Sequence, residues 1–492
     1  MLLKDKNGGE SGILMPLSSL PSKFGIGSLG KESYKFTDFL QASEQRYWQL
    51  LPLVPLGEGN SPYKSVSCFA GEILYIDPDM LVQNGLLAEN ELPEDGIFDR
   101  TDYKAARKIK LPLLRLAAER FNTKSKEYQL FVAKNAYWLD DFALFSAITE
   151  DIPNKSILEI PDDLKYRFPE AIEKFRITHR EKIRFYKITQ YFFYNQFFSL
   201  RDYAHKKGIK LIGDIPFYIS LDSSDVWSCP QAFKIGRDFT PITVAGVPPD
   251  RFSSSGQLWG NPIYDWEYHK KTDFAWWKSR LNFCRRLYDV IRIDHFRAFA
   301  NYYAIPYGSA DAKSGVWEKG SGLNFWQSIE RELGKLNIIA EDLGGEEREV
   351  RELIKNTGFP DMRILQFGFE DNIANRNLPK NYIKNCVCYT GTHDNDTSRG
   401  WYASAPPREK LFASRYLPDI PNAPISEKMI ISAMRSKARL VIIPMQDILN
   451  LPSSARMNTP GTRRGNWEWR MDGNALCKKL SEHLKSISGT RN

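Results

Sequence analysis

Apolar residues along this chain gather into short, unbroken runs, and most of the runs stop at a polar or charged residue. Eight stand out, at 12–17, 47–54, 210–214, 290–294, 337–341, 363–367, 387–393 and 440–447. Runs this short and continuous suit strands covered on both faces, as in a parallel sheet. Amphipathic stretches of helical period separate most of them, for example 346–355 and 427–436. Eight such units predict an α/β chain folded as a (β/α)8 TIM barrel, with its active site at the C-terminal ends of the strands. A doubly wound open sheet is the competing architecture.

The spacing of the runs is uneven. Roughly 150 residues separate the second run from the third, against about 30 for an ordinary βαβ unit. Within that gap Pro112 opens an apolar-periodic run to Phe121, as a proline in a first helical turn does. Further helical runs cover 128–148 and 181–207, the last closed by Gly208 in a capping position. Residues 60–205 are therefore expected to form a helical subdomain inserted after strand 2, beside the mouth of a single barrel domain spanning 1–492. A second insertion, 220–285, carries Ser, Gly, Pro and aromatic residues and is expected to supply active-site loops. Neither internal repeats nor low-complexity tracts interrupt this plan.

Composition narrows the partners. The 492 residues are 42% hydrophobic and 26% charged, which is ordinary for a globular chain. The net charge of +8 comes from 68 basic and 60 acidic residues that alternate along the chain, and the densest basic stretch, 179–184, reads as a solvated helix face. No nucleic-acid partner is expected. Six cysteines are scattered, and only Cys386 and Cys388 are close, with no second pair to complete a zinc site. No apolar run approaches the ~18 residues of a membrane span, and residues 1–6 lack a signal-peptide core. Free thiols then point to a cytoplasmic location. Aromatic residues make up 13%; their faces fill cores and also stack on the C–H faces of sugars.

Three of the run ends carry chemistry. In Ile291-Arg292-Ile293-Asp294, the arginine and the carboxylate share one face of a strand, and the cation favours an ionised carboxylate there. A buried structural ion pair would look the same. In Ala340-Glu341-Asp342 the adjacent carboxylates point opposite ways, one to the barrel mouth and the other expected at a helix cap. In Thr392-His393-Asp394, histidine beside aspartate can bind sugar hydroxyls and support positive charge, while the ligand spacing for a metal is lacking. Retaining cleavage of a glycosidic bond needs a carboxylate nucleophile and a carboxylic acid about 5–5.5 Å apart. Neighbouring barrel strands bring their ends that close, and the third carboxylate can stabilise an oxocarbenium-like transition state.

These segments, with Ser19-Leu20-Pro21, Gly59-Asn60-Ser61-Pro62-Tyr63, Gly213-Asp214-Ile215-Pro216, Gly246-Val247-Pro248-Pro249-Asp250, Gly260-Asn261-Pro262 and 455–462, resemble the amylomaltases, or 4-α-glucanotransferases, over nearly the whole chain. The resemblance implies Asp294 as nucleophile, Glu341 as general acid/base and Asp394 as transition-state stabiliser. It places Asp214, Arg292 and His393 at the donor subsite. Tyr63, Gln257, Trp259 and, from the last motif, Asn458 become contacts to glucose units, although Tyr63 could equally be a helix-packing ring. The implied substrates are maltooligosaccharides and starch or glycogen-type α-glucans, with glucose as an acceptor and no cofactor. Arg251 departs from the aromatic residue usual after Pro-Pro-Asp, which bears on how the lid loop meets a glucan. Two rivals remain. A hydrolase on the same barrel is disfavoured because 214–218 lacks the Asn-His ending of hydrolytic α-amylases. A non-catalytic glucan-binding protein is disfavoured because all three carboxylates are present.

Overall fold

Each of the eight apolar runs contributes a strand, and the eight close on themselves. The structure, a computed structural model, describes residues 9–94, 96, 98–152, 156–249, 253–343 and 347–491. In chain order the strands are β1 (Glu10–Leu14), β2 (Tyr47–Gln49), β3 (Lys210–Ile215), β4 (Thr243–Val247), β5 (Gln257–Pro262), β6 (Val290–Ile293), β7 (Asn301–Pro306), β8 (Val316–Lys319), β9 (Ile338–Ala340), β10 (Asp361–Ile364), β11 (Cys386–Tyr389) and β12 (Leu440–Pro444). A closed barrel runs β1, β2, β3, β6, β9, β10, β11, β12 and back to β1, so every barrel strand lies beside its predecessor. All of these pairings are parallel.

The unbroken apolar runs now have a cause. On β11, Val387 and Tyr389 join the main core while Cys386 and Cys388 join a second cluster; Leu440 and Ile442 divide from Val441 and Ile443 in the same way on β12. Alternate side chains thus face two different apolar surfaces, the barrel interior and the surrounding helices.

Between β2 and β3 lie the long helices Tyr103–Arg120, Lys126–Thr149 and Arg180–Lys206, with shorter ones at Pro78–Gln83 and Pro169–Thr178. Asp77, Asp102 and Ser125 each accept a hydrogen bond from a first-turn backbone N–H, which fixes where three of these helices start. Gly208 (φ +75°) follows the last of them in the left-handed conformation expected of it. The expectation for Pro112 is corrected. That residue lies inside the helix that Asp102 caps, not at its start. It is exposed, so the carbonyl it cannot pair faces water.

Residues 220–285 are more ordered than the loops expected there. They include β4 and β5, which join β7 and β8 in a separate antiparallel sheet of order β5, β4, β7, β8. β5 alternates exposed or half-buried positions, and β8 is largely exposed, so neither shows the continuous apolar signal of the barrel strands. No helix among the described residues is long and apolar enough to cross a membrane.

Candidate active site

The C-terminal ends of three adjacent strands, β3, β6 and β9, bring Asp214, Asp294 and Glu341 to one side of the barrel mouth. Asp214 is the penultimate residue of β3 and is fully buried. Arg292 Nη1 lies 2.6 Å from both of its carboxylate oxygens and 3.2 Å from Asp294 Oδ1. The arginine therefore serves Asp214 first and Asp294 second, so the Arg292–Asp294 contact expected from the shared strand face is the longer of the two. Asp294 is raised to about 6, burial outweighing the lowering by Arg292, with the charge of Asp214 adding to the rise.

Glu341 follows β9 and is buried. Its Oε2 accepts from the backbone N–H of His295 at 2.6 Å, and its Oε1 from that of Leu343 at 2.7 Å. Burial and then the charge of Asp294 push its carboxyl up to about 8, further than its neighbour, while Arg292 and the two N–H donors act the other way. The next residue does not cap a helix as expected. Asp342 accepts from the Met362 N–H at 3.1 Å and from Arg376 Nη2 at 2.6 Å, bound instead to the adjacent strand β10.

Tyr63 reaches the same cluster from the segment after β2. Its hydroxyl donates to Asp214 Oδ2 at 2.9 Å, and its ring stacks on His393 at 5.1 Å with planes 17° apart. Burial and the Asp214 charge push the phenol well above its usual range, so it remains a donor. His393 is buried, and its Nε2 lies 3.5 Å from Asp394 Oδ1. Asn458 Nδ2 donates to that same oxygen at 2.6 Å, and Arg456 Nη2 donates to the Asp394 carbonyl at 2.5 Å. The Asp394 side chain is 47% exposed, against none for Asp214, so it faces open space at the mouth.

Gln257 and Trp259, both on β5, form the other wall. Gln257 Oε1 accepts from Trp259 Nε1 at 3.1 Å, and the Trp259 ring meets His295 edge-on at 4.9 Å. All ten residues singled out in the sequence thus join one connected set. The carboxylate pair meets the β5 wall through His295, whose N–H holds Glu341 and whose ring touches Trp259. Arg251 lies outside the described residues.

Sequence reasoning missed three contributors. His295 stood within a quoted motif without a role; it adopts a left-handed φ of 52°, and burial and then Arg297 push its imidazole down to about 3, so it is neutral. Arg456 had also been quoted, only as part of 455–462. Trp467, in the left-handed region at φ 67°, packs against both Tyr63 (5.8 Å) and His393 (5.9 Å), and carried no signal beyond being one more aromatic residue. No group of three or more His, Cys, Asp or Glu side chains placed to hold a metal occurs among the described residues.

A parallel barrel whose rim gathers buried carboxylates around an arginine, flanked by aromatic faces, is the build of a glycosidic-bond enzyme. The chain belongs to the 4-alpha-glucanotransferase family, whose model matches residues 15–476. It is 43% identical over 480 residues to a 4-alpha-glucanotransferase of Clostridium butyricum, covering 96% of this chain and 99% of that one. It is 41% identical to a chloroplastic/amyloplastic 4-alpha-glucanotransferase of Solanum tuberosum, over 97% of this chain and 85% of the relative. Among solved structures, the amylomaltase from Streptococcus agalactiae in complex with acarbose superposes with a TM-score of 0.94 at 40% identity, covering 98% of both chains. The chain is a glycosyltransferase acting on α-1,4-glucans.

Proposed function

We propose that Asp294, Glu341 and Asp394 carry out the transfer as nucleophile, general acid/base and transition-state stabiliser of a retaining double displacement. The observation that carries this reading is the unequal environment of two neighbouring carboxyls. Glu341 is raised further and keeps its proton near neutrality, while Asp294 is raised less because Arg292 lies against it. One is thereby poised as acid and the other as nucleophile.

In the first step an Asp294 oxygen attacks the anomeric carbon and the bond to the leaving glucan's 4-oxygen breaks. The Glu341 proton passes to that oxygen, leaving a β-linked glycosyl ester on Asp294. In the second step the Glu341 carboxylate takes the proton from the 4-hydroxyl of an acceptor as its oxygen attacks the same carbon. The ester breaks and an α-1,4 bond re-forms. Asp394, oriented by Asn458, places negative charge beside the oxocarbenium-like centre. Tyr63, Asp214, Arg292 and His393 hold the donor glucose, and Gln257 and Trp259 line the acceptor path. Donors are maltooligosaccharides and starch or glycogen-type glucans, and glucose serves as the smallest acceptor.

The helical insertion, 60–205, acts as a subdomain that supplies Tyr63, and 220–285 supplies the Gln257–Trp259 wall. The six free cysteines support a reducing, cytoplasmic setting for this activity. Incubation with maltotriose alone tests the proposal. Glucose with a ladder of longer maltooligosaccharides, at constant total reducing ends, is expected; rising reducing ends with only glucose and maltose would overturn it.

A further inference from the structure

A groove of ≈ 980 Å³, lined by none of the ten residues of the candidate active site, separates the segment 165–168 from the segment 227–239. Two of its rings are presented to solvent: Phe168 is 55% exposed and Tyr166 39%. They stack on each other at 6.4 Å with planes 29° apart, and Tyr166 also packs on Phe239 across the groove at 6.1 Å. Aromatic side chains this exposed cost free energy in water, and a cluster of them in a concave surface marks a binding face.

The backbone here is held in an unfavourable shape. Arg167, between the two rings, has φ 58°, and Phe239, on the facing wall, has φ 67°. Neither is glycine, so each persists only where its surroundings impose it. At Arg167 they do: its guanidinium donates to Asp141 Oδ1 at 2.6 Å and lies 4.3 Å over the Trp227 ring. The anchored arginine thereby fixes the turn from which Tyr166 and Phe168 project.

The charges around the groove decide the class of ligand. Lys165 pairs with Asp162 at 2.7 Å, Arg167 with Asp141, and Glu267 with Lys270 at 2.7 Å, while Asp265 accepts from two backbone N–H groups. Most of the rim's charges are thus satisfied in place, and the two lining cations without an ion-pair partner among the described residues, Arg237 and Lys271, offer a polyanion only a weak field. Gln231 and Arg237, exposed on the facing wall, have no hydrogen-bond or ion-pair partner among the described residues. Flat apolar faces opposite free donors and acceptors suit a neutral chain of sugar rings, whose C–H faces stack while hydroxyls hydrogen-bond. The groove connects to the active-site wall by ring contacts, Phe233 to Tyr264 (5.2 Å), Tyr264 to Tyr218 (6.2 Å) and Tyr218 to Trp259 (6.3 Å).

We infer that this groove is a second, non-catalytic α-glucan site that holds long chains while their ends are processed at the barrel mouth. The α-glucan class rests on the activity proposed above, and the test separates the two. Y166A/F168A and R237A would be compared with the parent protein by affinity electrophoresis through native gels containing amylose, in a D294N background so that the probe is not consumed. The same groove variants with Asp294 intact would be assayed on maltotriose. Amylose affinity is expected to fall roughly tenfold in Y166A/F168A, the value of two lost stacking contacts, and several-fold in R237A. Maltotriose kcat and KM should stay within about twofold, because none of the substituted residues belongs to the proposed catalytic or donor site. Unchanged amylose affinity in both groove variants would overturn the inference. So would light scattering showing that Y166A/F168A turns a dimer into a monomer with amylose affinity retained, since the face would then be a contact between copies. Loss of amylose binding in a protein whose parent fails to disproportionate maltotriose would uphold the groove and sink the catalytic proposal.

Discussion

Removing the Tyr63 hydroxyl, as Tyr63→Phe, isolates one hydrogen bond in the proposed donor subsite. That hydroxyl donates to Asp214 Oδ2 at 2.9 Å, and a hydrogen bond to a charged acceptor contributes about 1.5–3 kcal/mol. Asp214 keeps Arg292 Nη1 at 2.6 Å from both oxygens, so it is not stranded, and the loss falls at the low end. About 1.5 kcal/mol corresponds to roughly a tenfold fall in kcat/KM. The Phe ring preserves the 5.1 Å stack on His393, whereas Tyr63→Ala removes it as well. Such a stack adds about 0.5–1.5 kcal/mol, which brings the alanine variant to roughly a hundredfold below the parent. Initial rates of glucose release from maltotriose over a range of concentrations give both ratios, and thermal melts confirm that each variant is folded. Equal losses in the two variants would show that the stack carries nothing. A Phe variant within twofold of the parent would refute the claim that this bond contributes to the proposed donor subsite.

Asp294→Asn should abolish turnover, since an amide cannot form the glycosyl ester; near-normal transfer in a maltotriose assay would remove Asp294 from its assigned role. The pH profile of kcat/KM should be bell-shaped. Activity falls on the acid side as Asp294, raised to about 6, takes up a proton, and on the alkaline side as Glu341, raised to about 8, loses one. Loss of the alkaline limb in Glu341→Gln residual activity would support the assignment, and an unshifted limb would contradict it. The same glutamate implies a stability cost. Its folded pKa lies above its ordinary value of 4.5, so the folded state binds the extra proton between about pH 4.5 and 8 and stability falls as pH rises through that window. Glu341→Gln should therefore melt higher than the parent at pH 8 and similarly at pH 4; a lower melting point at pH 8 would refute this. Asp447 is buried and accepts from Thr390 Oγ1 (2.5 Å), Ser398 N (2.6 Å) and Ser398 Oγ (2.7 Å). Asp447→Ala should destabilise by about 3 kcal/mol, read by urea unfolding, because it strands a buried N–H and two hydroxyls.

The barrel was legible because its signal is local. A strand buried on both faces is apolar except where a buried charge finds a partner, and β6, β10, β11 and β12 are buried throughout, with Arg292, Asp361 and Arg363 as the ion-paired exceptions. The antiparallel sheet was not legible for the complementary reason. β5 alternates and β8 is exposed, so their composition resembles loops, and the two local pairs are joined only where β4 meets β7, as in Thr243 opposite Pro306. At the site, residues that end strands could be found from the strands themselves. Trp467 could not, since it reaches Tyr63 and His393 from a segment without regular structure that follows the last barrel strand. His295 sat in plain view beside Asp294, but its use depends on a left-handed backbone and a neutral ring, which no composition rule reports. Pro112 shows the opposite failure, where a sound local rule placed a helix start that the Asp102 cap sets earlier.

Burial raises both Asp294 and Glu341, and the difference between them follows from where one arginine is spent. Arg292 lies on the strand between those of Asp214 and Glu341, and its short contacts go to Asp214, a carboxylate with no exposed side-chain surface. That pair is close to neutral, and only the longer 3.2 Å contact is left for Asp294. Among the described residues no cation contacts Glu341, whose carboxylate receives backbone N–H groups. Two carboxylates of similar intrinsic acidity on adjacent strands thus face unequal fields, and the one further from the cation keeps the proton. Were Arg292 to contact Asp294 and Glu341 equally, Glu341 would be lowered further and the proposed acid would give up its proton more readily. On the proposed roles, Asp214 therefore also acts on the chemistry at one remove, by drawing the arginine away from Glu341 while holding it within reach of Asp294.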